Sequence, residues 1–186
     1  MQISKTIIEG VYLISPNVFG DERGYFFESF NKKSLEDKVG YPLNFVQDNE
    51  SFSSRGVLRG FAFQKAPYTQ AKLVRVTQGE VLDVVLDMRR ESPTFGQHVS
   101  HVLTAENKHQ VFIPRGCAHA FVTLSETATF QYKVDNYFAP EFEGGVIYND
   151  TKLNVNWHLK DQDLIVSSKD LGRPTFNKSE YFKGNL

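Results

Sequence analysis

Lys72-Leu73-Val74-Arg75-Val76-Thr77, followed by Gln78-Gly79 and then Glu80 to Met88 (EVLDVVLDM), is the stretch that decides the fold. Its first six residues alternate polar and apolar, the period-two pattern of a strand with one face buried. Gln78-Gly79 signals a turn, and the following run of aliphatic and β-branched residues reads as a second strand. Together the two segments predict a hairpin. Working outward, His98 to Leu103, His109 to Ile113, His119 to Leu124 and Ala128 to Val134 are further strands. Ser92-Pro93, Ala105 to Lys108, Pro114 to Gly116 and Ser125 to Thr127 break them. Strands at roughly ten-residue intervals, with no helical pattern between them, predict an all-β protein whose antiparallel sheets close into a sandwich or barrel.

Helix is scarce. Lys33 to Val39 (KSLEDKV) predicts about two turns that end at Gly40 before Pro42, and the tail from Gln162 holds room for a second short helix. No repeat, low-complexity tract or linker interrupts the chain, so residues 1–186 read as a single domain with an N-terminal arm and a C-terminal cap. The tail aromatics Phe176, Tyr181 and Phe182 are expected at the surface, packed on a partner or frayed.

Composition bounds the function. A chain of 186 residues buries about two-thirds of the surface its unfolded form exposes, enough for a core without metal or disulfide staples. Cys117 is the only cysteine, which excludes an intrachain disulfide. A net charge of -1 argues against nucleic acid as a partner. The opening MQISKTIIEGVYLISP is broken by Lys5, Glu9 and Gly10, so it reads as neither signal-peptide core nor membrane span, and a soluble cytoplasmic protein is expected. The 16 Phe, 8 Tyr and one Trp favour strands and aromatic-walled ligand pockets, which points to a container.

Four segments carry candidate chemistry. Gly56 to Gln64 and Gln70-Ala71-Lys72 place Arg59 and Lys72 on what read as neighbouring strands. Two cations aimed into an apolar cup are costly unless an anion such as a diphosphate joins them; the alternative puts both outside, paired with Asp83 or Glu80. Pro114 to Phe121 delivers His119 near the start of a strand, where it either satisfies a core hydrogen bond or faces a cavity. The remaining histidines (His98, His101, His109, His158) show no ligand spacing around it, so no metal is expected. Thr129 to Lys133 puts Phe130 and Tyr132 on one face, and the Tyr132 phenol is either a core group or a general acid. In Ser167-Ser168-Lys169-Asp170, the carboxylate of Asp170 either caps a helix or orients a histidine.

Taken together, VLRG-x-x-FQ (57–64), QAKLVRV (70–76), GEVLDVVLDMR (79–89), SPTFG (92–96), FIPRGCAHAF (112–121), Tyr132-Lys133, YFAPEFEGG (137–145), Trp157 and SSKD (167–170) resemble the dTDP-4-dehydrorhamnose 3,5-epimerase family over residues from about Ile8 to Phe176. The resemblance implies a cupin-type jelly-roll barrel that needs no cofactor and forms a homodimer whose N-terminal segments cross between subunits. It implies a dTDP-4-keto sugar as substrate, epimerised at C3 and C5 through enolates on the route to dTDP-rhamnose. Tyr132 matches the proton donor and Asp170 the acid that orients the base. Arg59, Lys72 and His119 match residues around the sugar and diphosphate. Arg23, Glu28, Gln47, Asn49, Glu143 and Lys169 match substrate contacts, and Phe26 matches a wall for the thymine.

The departure from the pattern falls on the base. The family reads R-G-L-H-F-Q, whereas this chain reads Arg59-Gly60-Phe61-Ala62-Phe63-Gln64, and Ala62 accepts no proton. General-base assistance contributes about 10²- to 10⁴-fold, so impaired catalysis is expected. Ala62 is either a substitution made to disable the protein, a divergence to a silent or altered role, or a loss covered by another base; no other histidine sits in a segment expected at this spot. Phe138, where the pattern often has a second tyrosine, opens the question of whether one or both centres are inverted. Two rival readings are a silent dTDP-sugar-binding protein and a metal-dependent cupin oxygenase.

Overall fold

The computed structural model describes residues 1–183. The strands begin with Gln2–Lys5 (β1), Tyr12–Ser15 (β2), Phe19–Asp21 (β3) and Gly24–Phe26 (β4). Helix α1, Lys32–Val39, leads to β5 (Gln47–Ser54), β6 (Val57–Gln64), β7 (Lys72–Gln78) and β8 (Glu80–Asp87). Then come β9 (His98–Thr104), β10 (Gln110–Ile113), β11 (Cys117–Thr123), β12 (Thr127–Val134), β13 (Glu143–Gly145) and β14 (Ile165–Val166), with α2 at Ser168–Leu171. Two six-stranded sheets result. One has the order β1-β2-β10-β7-β12-β5; the other runs β13-β6-β11-β8-β9, with β14 alongside β6. The predicted all-β architecture is therefore correct, and it is a jelly-roll barrel of the cupin type.

The predicted hairpin is not. β7 pairs with β10 and β12, whereas β8 pairs with β11 and β9 in the opposite sheet. The chain crosses between sheets at Gly79, whose φ of +75° and close approach to the Thr127 carbonyl leave no room for a side chain. For the same reason Arg59 on β6 and Lys72 on β7 are not on neighbouring strands; they belong to facing sheets.

The periodicity of β8 reflects burial on both faces. Val81 and Val85 join Val74, Val76, Phe121 and Phe130 between the sheets. Leu82, Val84, Leu86 and Met88 point the other way and are covered by Trp157, Phe176 and Phe182. The tail is thus a lid on the β8 sheet, and the expectation of exposed tail aromatics is wrong: Phe176 and Phe182 are buried, with Phe95 and Tyr181 rings 5.3 and 5.4 Å from Phe176. Their scatter among polar residues hid this from the sequence.

Both predicted helices form. Asn31 accepts the Ser34 N–H at the start of α1, Leu35 is buried, and left-handed Gly40 ends the helix. In α2 the cap is Ser167, not Asp170: the Ser167 hydroxyl oxygen accepts the Asp170 N–H. No described helix is long and apolar enough to cross a membrane.

Because Phe176 is fully buried in the core on the outer face of the β8 sheet, Phe176→Ala is expected to lower the unfolding free energy by about 3–5 kcal/mol in urea titrations at fixed protein concentration. A loss below about 1 kcal/mol would show that the tail is not packed as described.

Candidate functional site

The inward face of the β7 sheet carries Lys72 from β7, Tyr132 from β12, and Gln47 and Asn49 from β5; the facing sheet contributes Ala62 and Gln64 from β6 and Glu143 from β13. These side chains line one cavity of about 300 Å³, together with Phe63 and Phe138. That volume suits a small-molecule ligand. Alternation explains the gathering: Lys72 and Val74, like Tyr132 and Val134, share the inward face of paired strands.

The groups differ sharply in how they are satisfied. The Lys72 amine makes no hydrogen bond or ion pair among the described residues and lies 6.0 Å from the centroid of the Tyr132 ring. Burial pulls it down to about 8, against the opposing pull of Asp83 and Glu143. Burial also raises the Tyr132 phenol, an effect that Arg59 partly offsets and Glu143 reinforces. Arg59 is held by Ser53, whose hydroxyl accepts from Nε and Nη2 at 3.3 Å.

His119 is not among the residues that line this cavity but pairs in register with one that does, Ala62. Its Nε2 is 2.5 Å from Oδ2 of fully buried Asp83, and its ring stacks on Phe130 at 5.8 Å. Asp83 therefore faces inward to His119 and is not an outer-face partner for Arg59 or Lys72. The register also sets His119 directly opposite Ala62 on the adjoining strand, so an imidazole does lie beside position 62, although Asp83 already engages it.

Around the rim is a network that sequence reading missed. Arg173, 8% exposed at its side chain, donates from Nε to Asp170 at 2.7 Å, from Nη2 to Glu143 at 2.7 Å and from Nη1 to the Gly144 carbonyl at 2.9 Å. Lys169 reaches the other Glu143 oxygen at 2.5 Å. Burial works against ionisation of Glu143, but Lys169 and Arg173 hold its carboxyl below the ordinary range. Asp170 further accepts from the Ser167 hydroxyl at 3.0 Å and the Gly60 N–H at 3.4 Å, which ties α2 to β6 two residues from Ala62. The available signal was the Asp170–Arg173 spacing across one helical turn with the Gly144-Gly145 pair: any side chain at Gly145 would collide with Arg173.

Three proposed contacts lie elsewhere. Arg23 sits on the β3–β4 hairpin, paired with Asp21 and exposed. Phe26 on the same hairpin is 67% exposed, and Glu28 accepts from Asn31 Nδ2 at 3.2 Å. Within one chain they do not join the cavity. Among the described residues no three His, Cys, Asp or Glu side chains converge as metal ligands.

A cupin barrel whose cup combines an unpaired amine, a half-buried phenol and a carboxylate–guanidinium rim is a candidate small-molecule site. The family model of dTDP-4-dehydrorhamnose 3,5-epimerase matches residues 5–178, and the chain belongs to that family. Among its relatives, a dTDP-4-dehydrorhamnose 3,5-epimerase of Pseudomonas aeruginosa is 50% identical, with 98% of this chain and 99% of the relative covered. The crystal structure of an Elizabethkingia anophelis dTDP-4-dehydrorhamnose 3,5-epimerase matches with a TM-score of 0.93 at 49% identity, over 95% of this chain and 97% of that one. A Legionella pneumophila dTDP-6-deoxy-D-glucose-3,5-epimerase in complex with dTDP-4-keto-L-rhamnose matches with a TM-score of 0.91 at 45% identity, covering 95% and 93%.

Since Arg173 joins two carboxylates in a mostly buried position, Arg173→Met is expected to cost about 3–5 kcal/mol of stability in denaturant titrations, the cost of leaving buried charges unpaired. A change within about 0.5 kcal/mol would contradict the network.

Proposed function

We propose that this chain binds a thymidine-diphosphate 4-keto-6-deoxy sugar in the cup and, because residue 62 is alanine, epimerises it at C3 and C5 slowly or not at all. The observation that carries this reading is that Ala62, Lys72, Tyr132 and Glu143 line one cavity in a member of a family whose Legionella relative holds dTDP-4-keto-L-rhamnose.

The chemistry follows from the ketone. A carbonyl at C4 acidifies the hydrogens at C3 and C5, and removal of either gives an enolate whose charge falls on the carbonyl oxygen. Lys72 and Arg59, with His119 behind them, favour that charge, as preorganised donors do in a dry site. Inversion needs a base on one face of the ring and an acid on the other. Support for this assignment comes from the sheets: Tyr132 projects from one and residue 62 from the other. Tyr132, kept protonated by burial, is the donor. The opposite face presents a methyl group, and Asp170, with Arg173 and Ser167 as partners, lacks the imidazole it would orient.

Arg23, Phe26 and Glu28 fit the same reading if the chain is a homodimer and the β3–β4 hairpin of each subunit reaches the other's cup. The exposure of Phe19, Tyr25 and Phe26, each more than 60%, is what such a reach would cover. A second reading, a silent dTDP-sugar receptor, is favoured by the same Ala62.

Ala62→His is expected to raise solvent-deuterium incorporation at C3 and C5 by about 10²- to 10⁴-fold, while calorimetry shows dTDP binding by both proteins. If the alanine protein already exchanges both positions at the rate of the histidine variant, the assignment of residue 62 fails. Absence of dTDP binding would overturn the proposed ligand.

A further inference from the structure

One group in the cup, which this mechanism uses only for its charge, stands in an unusual state. The basic side chains near Lys72 are engaged: Lys169 with Glu143 at 2.5 Å, Lys133 with Asp48 at 2.9 Å, Arg173 with Asp170 and Glu143, Arg59 with Ser53. The Lys72 amine alone among these has no polar partner among the described residues, and it opens onto the cavity that also holds Ala62 and Tyr132. Burial keeps much of it neutral near pH 8; Arg173 acts in the same direction, while Asp83 and Glu143 oppose it. A neutral, desolvated amine is a nucleophile toward ketones.

Resting on the dTDP-4-keto-sugar reading above, we propose that Lys72 attacks the C4 ketone of the bound sugar and forms an imine, a covalent activity separate from epimerisation. The nitrogen lone pair of Lys72 adds to C4, and the ketone oxygen takes a proton to become the hydroxyl of a carbinolamine. The Tyr132 phenol is placed to give that proton. The nitrogen then loses its remaining protons as the hydroxyl leaves as water, Tyr132 is reprotonated, and a C4=N double bond remains. Amine plus ketone yields imine plus water, with no change of oxidation state. With no imidazole at residue 62 to draw the ketone promptly into an enolate, the carbonyl stays available to the amine.

The test is reductive trapping. The protein is incubated with the dTDP-4-keto-6-deoxy sugar and sodium cyanoborohydride, whose hydride adds to C4 of a protonated imine and leaves a stable secondary amine. Intact-mass and peptide-mapping spectrometry then locate the adduct. One sugar nucleotide per chain on Lys72 is expected, formed only with the keto sugar and not with dTDP-rhamnose, and lost to background in Lys72→Met and Lys72→Arg. Circular dichroism and thermal melts accompany each variant, so that one that fails to fold is recognised, and calorimetry with dTDP accompanies the unsubstituted protein; Lys72→Arg preserves the charge and serves if Lys72→Met does not fold. An adduct distributed over surface lysines, or one that persists in either folded variant, would overturn the assignment. No adduct in a protein that binds dTDP would overturn the imine and leave the ligand reading standing. Failure to bind dTDP at all would remove both.

Discussion

The structure depends on a crossing. Consecutive strands β7 and β8 do not pair but pass into opposite sheets, and the two sheets face each other across a space from which water is largely excluded. Polar groups in such a space must be partnered or serve a ligand. His119 with Asp83 and Arg173 with Asp170 and Glu143 are partnered; Lys72 is left to the cavity. The functional properties of the cup follow from which charges are matched within the protein and which await something from outside.

The placement of the proton-transfer positions is a consequence of the same facing. Tyr132 and Lys72 are near neighbours on one sheet, so they approach a ligand from one side. Residue 62 approaches from the other, with Asp170 of α2 bonded two residues away at Gly60, in the middle of β6. On the proposed reading, such a barrel offers acid and base to opposite faces of a sugar ring without any moving part. A methyl group at residue 62 leaves one half of that arrangement empty while its scaffold stands, since Arg173 and Ser167 hold Asp170.

Much of the fold was legible because it rests on local patterns: the alternation of β7, the Gly40 stop of α1, and the breaks before β10, β11 and β12. What was not legible was nonlocal. Nothing in Gln78-Gly79 distinguishes a hairpin from a crossing, because both need the same left-handed glycine. The lid formed by Phe176 and Phe182 depends on the outward face of β8, whose burial on both sides shows only as an uninterrupted apolar run. At the site, the family resemblance named Gln47, Asn49, Ala62, Lys72, Tyr132 and Glu143, which line one cavity, but Arg23, Phe26 and Glu28 lie on a hairpin that a single chain does not bring there. Arg173 was missed because its partners come from β13 and α2, which are distant in sequence from each other.

The central claim is that this chain has a complete substrate cup from which a single imidazole is missing. Adding free imidazole to the protein and its keto sugar tests it most directly, with the fraction of inverted sugar followed by NMR. The account predicts a rate that rises with imidazole and saturates as the base fills the space beside Ala62 and Asp170. A protein that inverts both centres at full speed without imidazole, or one that binds the sugar and shows no response at any concentration, would contradict it.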